Sequence, residues 1–236
     1  MKSIIFALGL LTAAFAQTNC DQYGSISRNG FTISNNKWGQ SSGNGWQCIT
    51  ADNISGSGVA WHADWQWSNG QNNVKSYPNV QRDLPQKRLL NQIGSMPSSA
   101  DWSYTGSNLR LDVAYDLFTA SDPNHATYFG DFELMIWLAR YGGVGPIGSS
   151  QGHVNIGGLD WELFYGYNGA MQVYSFVAPS PRNNWNGDVK NFYNWLGQNR
   201  GYPVNNQYLL SFQFGTEPFT GDSATFHVNN WTGSVN

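Results

Sequence analysis

Short stretches in which apolar and polar residues alternate recur along the chain, separated by clusters of Gly, Asn, Ser and Pro. Gly30-Phe31-Thr32-Ile33-Ser34, Gly58-Val59-Ala60-Trp61-His62, Leu109-Arg110-Leu111-Asp112-Val113, Met171-Gln172-Val173-Tyr174-Ser175 and Thr225-Phe226-His227-Val228 are examples. A period of two marks strands with one buried face. One segment changes period: Val189, Phe192, Tyr193 and Leu196 stand at i, i+3, i+4 and i+7. With Asp188 as its N-cap and Gly201 as its stop, this predicts one helix over residues 188–200. Neither a linker nor a fixed-period repeat interrupts residues 17–236. Many strands, one short helix and no boundary predict a single all-β domain, an antiparallel sandwich or jelly roll.

Composition narrows the reading. The chain holds 11 Trp, 12 Tyr and 13 Phe among 236 residues, enough apolar area to offset its ordering entropy and exclude a disordered chain. Only 11% of residues are charged, too few for the solvated faces of coiled coils or helical bundles. A formal net charge of −3 gives no electrostatic basis for gripping a phosphate backbone, so no nucleic-acid partner is expected.

The N-terminus reads as a signal peptide over residues 1–16. Lys2 precedes an apolar run from Ile4 to Leu11, and Ala14-Phe15-Ala16 has the small-x-small cleavage pattern. That run is too short to span a bilayer, and no later segment could, so no membrane association is expected. A secreted protein is predicted. In an oxidising compartment Cys20 and Cys48, the only cysteines, should pair, which is worth about 3–4 kcal/mol. His62, His125, His153 and His227 are scattered without close pairs, so no metal site is predicted. Asn53-Ile54-Ser55 and Asn230-Trp231-Thr232 fit the glycosylation acceptor pattern.

Glutamate is rare: Glu133, Glu162 and Glu217 are all there is. In the run 131–138, strand geometry puts Phe132, Leu134, Ile136 and Leu138 on one face and Glu133, Met135 and Trp137 on the other. In the run 210–217, Leu210, Phe212 and Phe214 point one way while Ser211, Gln213, Gly215 and Glu217 point the other. Glu162 shares its face with Phe164 and reads as a structural or surface carboxylate. Two carboxylates on polar strand faces near aromatics meet the requirement of glycoside hydrolysis, in which one donates a proton and the other stays ionised. Trp and Tyr rings stack on sugars, and Asn and Gln bond their hydroxyls. Alternation alone does not name the pair.

Two segments, Gly130-Asp131-Phe132-Glu133-Leu134-Met135-Ile136-Trp137-Leu138 and Phe212-Gln213-Phe214-Gly215-Thr216-Glu217-Pro218-Phe219, resemble the catalytic signatures of glycoside hydrolase family 12. Trp61-His62-Ala63-Asp64-Trp65-Gln66-Trp67, Asn72-Asn73-Val74-Lys75-Ser76-Tyr77 and Gly145-Pro146-Ile147-Gly148 resemble its other blocks. The likeness is strongest to fungal endo-β-1,4-glucanases. It implies a β-jelly roll of two curved antiparallel sheets with a concave substrate cleft. It implies Glu133 as nucleophile, Glu217 as general acid/base and Asp116 as the carboxyl bonded to the nucleophile. Trp38 and Trp137 match cleft aromatics, with Asn36, Met135 and Phe219 as lesser contacts. Tyr23 occupies a distal sugar subsite where close relatives can carry Trp. Trp61, Trp65, Trp67 and Trp195 are expected in the core.

The resemblance further implies a retaining mechanism, no metal or organic cofactor, and a monomer acting on a β-glucan polysaccharide. A xyloglucan-specific endo-β-1,4-glucanase on the same scaffold is the nearest alternative, and a non-catalytic carbohydrate-binding jelly roll a more distant one.

Overall fold

The alternating runs become fourteen strands in the computed structural model, which describes residues 16–236. In chain order they are β1 (Gln17–Asn19), β2 (Ser25–Arg28), β3 (Phe31–Ser34), β4 (Asn44–Ser55), β5 (Gly58–Ser68), β6 (Asn79–Arg82) and β7 (Pro97–Ala120). There follow β8 (Phe132–Tyr141), β9 (Ser149–Ile156), β10 (Leu159–Asn168), β11 (Met171–Val177), β12 (Asn184–Asp188), the helix α1 (Lys190–Arg200), β13 (Tyr208–Leu209) and β14 (Gln213–Gly233). The signal-peptide expectation falls on residues that, Ala16 aside, lie outside those described.

Two strands belong to both layers. Laid straight, the 24 residues of β7 would reach roughly 80 Å, about twice the width of a domain this size, so the strand must bend. Residues 98–116 of β7 pair with β14, whose register shifts between Pro218 and Thr220, Thr220 and Asp222, and Asp222 and Thr225. Bulges of this kind turn a strand from one sheet into another. On β7 the corner is at Gly106, whose φ of +127 and 2.8 Å approach of an added Cβ to Ala224 exclude a side chain.

The first layer runs β1-β4-β5, then the C-terminal half of β14, the N-terminal half of β7, and β12. The second runs β2-β3-β6, the N-terminal half of β14, the C-terminal half of β7, then β8-β11-β10-β9, with β13 at the end of β7. This is the expected sandwich, with one exception to antiparallel pairing: β8 and β11 run parallel.

Between the layers lies an aromatic core. Trp61, Trp65, Trp102, Trp161 and Trp231 are buried there with Phe212, Phe214 and Phe226. Trp61 meets Phe226 edge to face at 5.6 Å, and Trp231 meets Phe212 likewise at 5.7 Å, the arrangement favoured by ring quadrupoles. Trp67 is also core, whereas Trp195 is only partly covered, packed on Phe176 with Arg200 over its ring.

Two local expectations are corrected. The helix begins at Lys190 because Asp188 is held in β12 opposite Pro97; its carboxylate still accepts the Lys190 and Met96 N–H groups. Gly201 closes the helix in the left-handed conformation, as expected. Leu210 does not share a face with Phe212. It precedes β14 and packs with Phe118, Ala120, Met171 and Val173 on the opposite side of the sheet. The alternation breaks there because Ser211 is buried and its hydroxyl accepts the Phe118 N–H in place of a ladder carbonyl.

Candidate active site

Three adjacent strands of the second layer build the site on the face turned away from the core. In the middle, β7 presents Asp112, Ala114, Asp116 and Phe118. On one side β8 presents Glu133 opposite Phe118, Met135 opposite Asp116, and Trp137 opposite Ala114. On the other, β14 presents Gln213 opposite Asp116, Gly215 opposite Ala114, and Glu217 opposite Asp112. Phe132, Leu134, Ile136 and Leu138 take the reverse face of β8 and enter the core, with Phe132 only partly covered.

Four carboxyl groups are thereby concentrated in a largely dry place. Asp112 is fully buried, and Asp116 and Glu133 are 7% and 8% exposed; Glu217 is half-buried. They form two pairs, Asp116 with Glu133 and Asp112 with Glu217, each near enough for its members to shift one another's titration. Burial raises every one of them above the ordinary carboxyl range. Glu133 is pushed up to about 8, first by burial and then by the charge of Glu217, with the Asp116 hydrogen bond opposing. Glu217 is raised by burial, against the pull of Asp112. Once Glu217 holds a proton its charge no longer opposes ionisation of Glu133. The coupling therefore favours one proton and one charge between the two.

This has a consequence for stability. The folded chain binds protons at these carboxyls that the unfolded chain has already released, so stability is fully present below the ordinary carboxyl pKa and is lost as pH rises toward about 8. The denaturation midpoint is expected to fall across that window, and Glu133→Gln to flatten the fall. A pH-independent midpoint in the unmodified protein would contradict this.

Two residues at the site were not singled out from sequence. Asp112 is one; its signal is its parity with Asp116, which puts both on the same face of β7. Tyr77 is the other. Buried on the loop before β6, it donates its hydroxyl to the Ala114 carbonyl at 3.0 Å. Burial, then the charges of Asp116, Asp112, Glu217 and Glu133, push its pKa up, so it stays protonated beneath the four carboxyls. The loop fits because Gly215 has no side chain: an added Cβ would lie 2.2 Å from the Pro78 carbonyl.

The expected sugar contacts fall into two groups. Met135, Trp137 and Phe219 cluster with Ala114, Val144, Val177 and Phe164 beside the carboxyls. Tyr23 and Trp38, 67% and 51% exposed, stand just before β2 and just after β3 respectively. Asn36 adopts a left-handed backbone, and its carbonyl accepts the Tyr77 N–H at 3.0 Å. Behind it, Gln47 donates to the Asn35 carbonyl and side-chain oxygens and accepts from the Ser76 hydroxyl. The loop bearing Trp38 is thus tied to the loop bearing Tyr77. Glu162 lies apart, half-buried and 3.8 Å from Arg140. Asn53 and Asn230 are both exposed. Among the described residues no helix is long and apolar enough to cross a membrane.

The chain is similar to known proteins in both sequence and fold. The crystal structure of Trichoderma harzianum Endoglucanase 3 superposes with a TM-score of 0.93 at 66% identity, covering 95% of this chain and 100% of that one. Endoglucanase A of Aspergillus kawachii is 50% identical over 227 residues, 94% of this chain and 95% of its own. The xyloglucan-specific endo-beta-1,4-glucanase A of Emericella nidulans is 41% identical over the whole of both chains. Residues 29–236 match the sequence profile of Glycosyl hydrolase family 12, and the chain belongs to that family.

Proposed function

We propose that the chain is a secreted, monomeric endo-β-1,4-glucanase that cleaves internal bonds of β-glucan with retention of configuration. Residues 1–16 serve as its export signal and 17–236 as a single catalytic domain. The observation that carries this reading is the pair of glutamates on flanking strands, each with its own aspartic partner on the strand between them. Glu133, whose ionised form the Asp116 hydrogen bond favours and a protonated Glu217 no longer opposes, attacks the anomeric carbon while Glu217 gives its proton to the departing sugar oxygen. Glu217, now a carboxylate, takes a proton from water, and that water displaces Glu133 from the glycosyl-enzyme. Trp38 and Tyr23 supply distal stacking surfaces, Trp137 and Phe219 the wall nearer the carboxyls, and Asn36 and Met135 lesser contacts. Cys20 and Cys48 are joined in the structure and brace the Tyr23 segment. Asn53 and Asn230 are exposed enough to carry glycans.

Unsubstituted β-1,4-glucan is favoured over xyloglucan because the two relatives of higher identity are endoglucanases, at 66% and 50%, against 41% for the xyloglucan-specific one. Initial rates on soluble cellulose, mixed-linkage glucan and xyloglucan test this directly. A higher kcat/KM on xyloglucan than on both others would reverse the substrate assignment; no release of reducing ends from any of them would overturn the enzyme reading.

Asp112 sets the working pH in this scheme. When Asp112 is protonated it donates to Glu217 and leaves the Glu217 proton free for the substrate. When it ionises it accepts that proton and holds it back. Asp112→Asn always presents a donor, so the pH optimum is expected to rise by about one unit. A pH–rate profile of kcat/KM checks it, and an unchanged or lowered optimum would refute the role.

A further inference from the structure

The four histidines look scattered along the chain, but the fold brings two of them face to face. His62 on β5 and His227 on β14 are direct cross-strand partners, with ring centres 5.4 Å apart. Both lie on the outward face of the first layer, because Trp61, Ala63 and Phe226 beside them point into the core. Asp64 follows on the same face of β5, its Oδ2 3.6 Å from His62 Nε2. Asp52 on β4 meets His62 Nδ1 at 2.9 Å.

These contacts orient the groups in a particular way. With Nδ1 against Asp52, the other ring nitrogen, Nε2, faces Asp64. The Asp64 carboxylate is itself fixed, since Oδ1 accepts the Thr225 hydroxyl at 2.7 Å. A carboxylate behind one imidazole nitrogen and a hydroxyl behind the ligating carboxylate are the outer supports that metal-binding groups use. The distances also fit. Two bonds of about 2.0–2.2 Å span the 3.6 Å between Nε2 and Oδ2. Among the described residues no three such groups already close around an ion, so His227, half-exposed on its strand, must turn its ring to complete the set. This motion needs only a side-chain torsion.

We propose that this face is a capture site for a first-row divalent ion that prefers imidazole, zinc(II) or copper(II), bound by His62 Nε2, Asp64 Oδ2 and one nitrogen of His227, with water at the remaining position. Hard ions such as magnesium are excluded by the two imidazoles. The ion would staple β5 to β14 on the side of the molecule away from the carboxyls. It would stabilise the fold without taking part in hydrolysis, and its binding does not depend on the proposed substrate.

The test is thermal unfolding of the chelator-treated full-length protein, with zinc sulfate, copper sulfate or magnesium chloride added. At a hundredfold excess over Kd, zinc or copper should raise Tm by roughly 5–10 °C, and magnesium should not. Isothermal titration should give one site per chain. His227→Asn should abolish the Tm shift and weaken the titrated affinity at least tenfold, while its hydrolytic rate without metal stays within twofold of the unmodified protein, confirming that it folds. Asp64→Asn should do the same to a lesser degree. Absence of a zinc or copper shift in the unmodified protein would overturn the proposal. So would an equal shift in His227→Asn, which would locate the ion elsewhere.

Discussion

Glu133→Ala is expected to lower kcat on every natural glucan by about four orders of magnitude or more, because no other group can form the covalent glycosyl-enzyme. Glu217→Ala should fail equally on polymers, whose sugar leaving groups need a proton. It should still be glycosylated by an aryl glucoside with an acidic phenol, which departs unaided. Azide then separates the roles. In Glu217→Ala it displaces Glu133 from the intermediate, and two inversions give the β-azide. In Glu133→Ala it can attack only the intact substrate, and one inversion gives the α-azide. The α-azide from Glu217→Ala together with the β-azide from Glu133→Ala would reverse the assignment. Glu162→Ala serves as the control: its carboxylate pairs with Arg140, and its loss should leave kcat within about tenfold.

Replacing Cys20 and Cys48 by Ser should cost about 3–4 kcal/mol, a several-hundredfold change in the folding equilibrium, since the bridge closes a loop of sequence separation 28. Urea unfolding of the double variant gives the number, and a loss below about 1 kcal/mol would mean that the bridge is dispensable. The effect should reach the cleft. Beside the bridge, the Cys20 carbonyl accepts the Lys37 ammonium and the Asp21 carbonyl accepts the Asn35 side-chain amide. Freed of the bridge, the segment carrying Tyr23 is less well positioned, so KM for long oligosaccharides should rise more than kcat falls.

The site was legible in sequence wherever a single strand carries the information. Glu133 against Leu134 and Ile136 reads correctly because a strand with one buried face must alternate, and β8 does so without interruption up to Leu138. Past that point the register shifts between Val113 and Ala114 on β7, which no local pattern announces. Leu210 misled for the same reason: a serine hydroxyl had replaced a ladder carbonyl. Asp112 and Tyr77 went unnoticed because their importance lies in which strand they face, and β7 meets β14 across more than a hundred residues. The His62–His227 pair was invisible on the same grounds. Periodicity identifies a face; only the topology says what that face is opposite.

The two shared strands also set an order of events during synthesis. β14 follows every other described strand along the chain, and it contributes a central strand to each layer. Until it emerges, β5 and β6 each have an unpaired edge and β7 lacks its longest partner. Pairings of such long sequence separation form slowly, since loop closure must precede any gain from contact. A chain still on the ribosome therefore lacks both the seam between its layers and the carboxyl of Glu217. The two glutamates meet only once β14 has paired with β7. Placing Glu217 on the strand that joins the two layers makes closure of the fold and assembly of the carboxyl cluster one event.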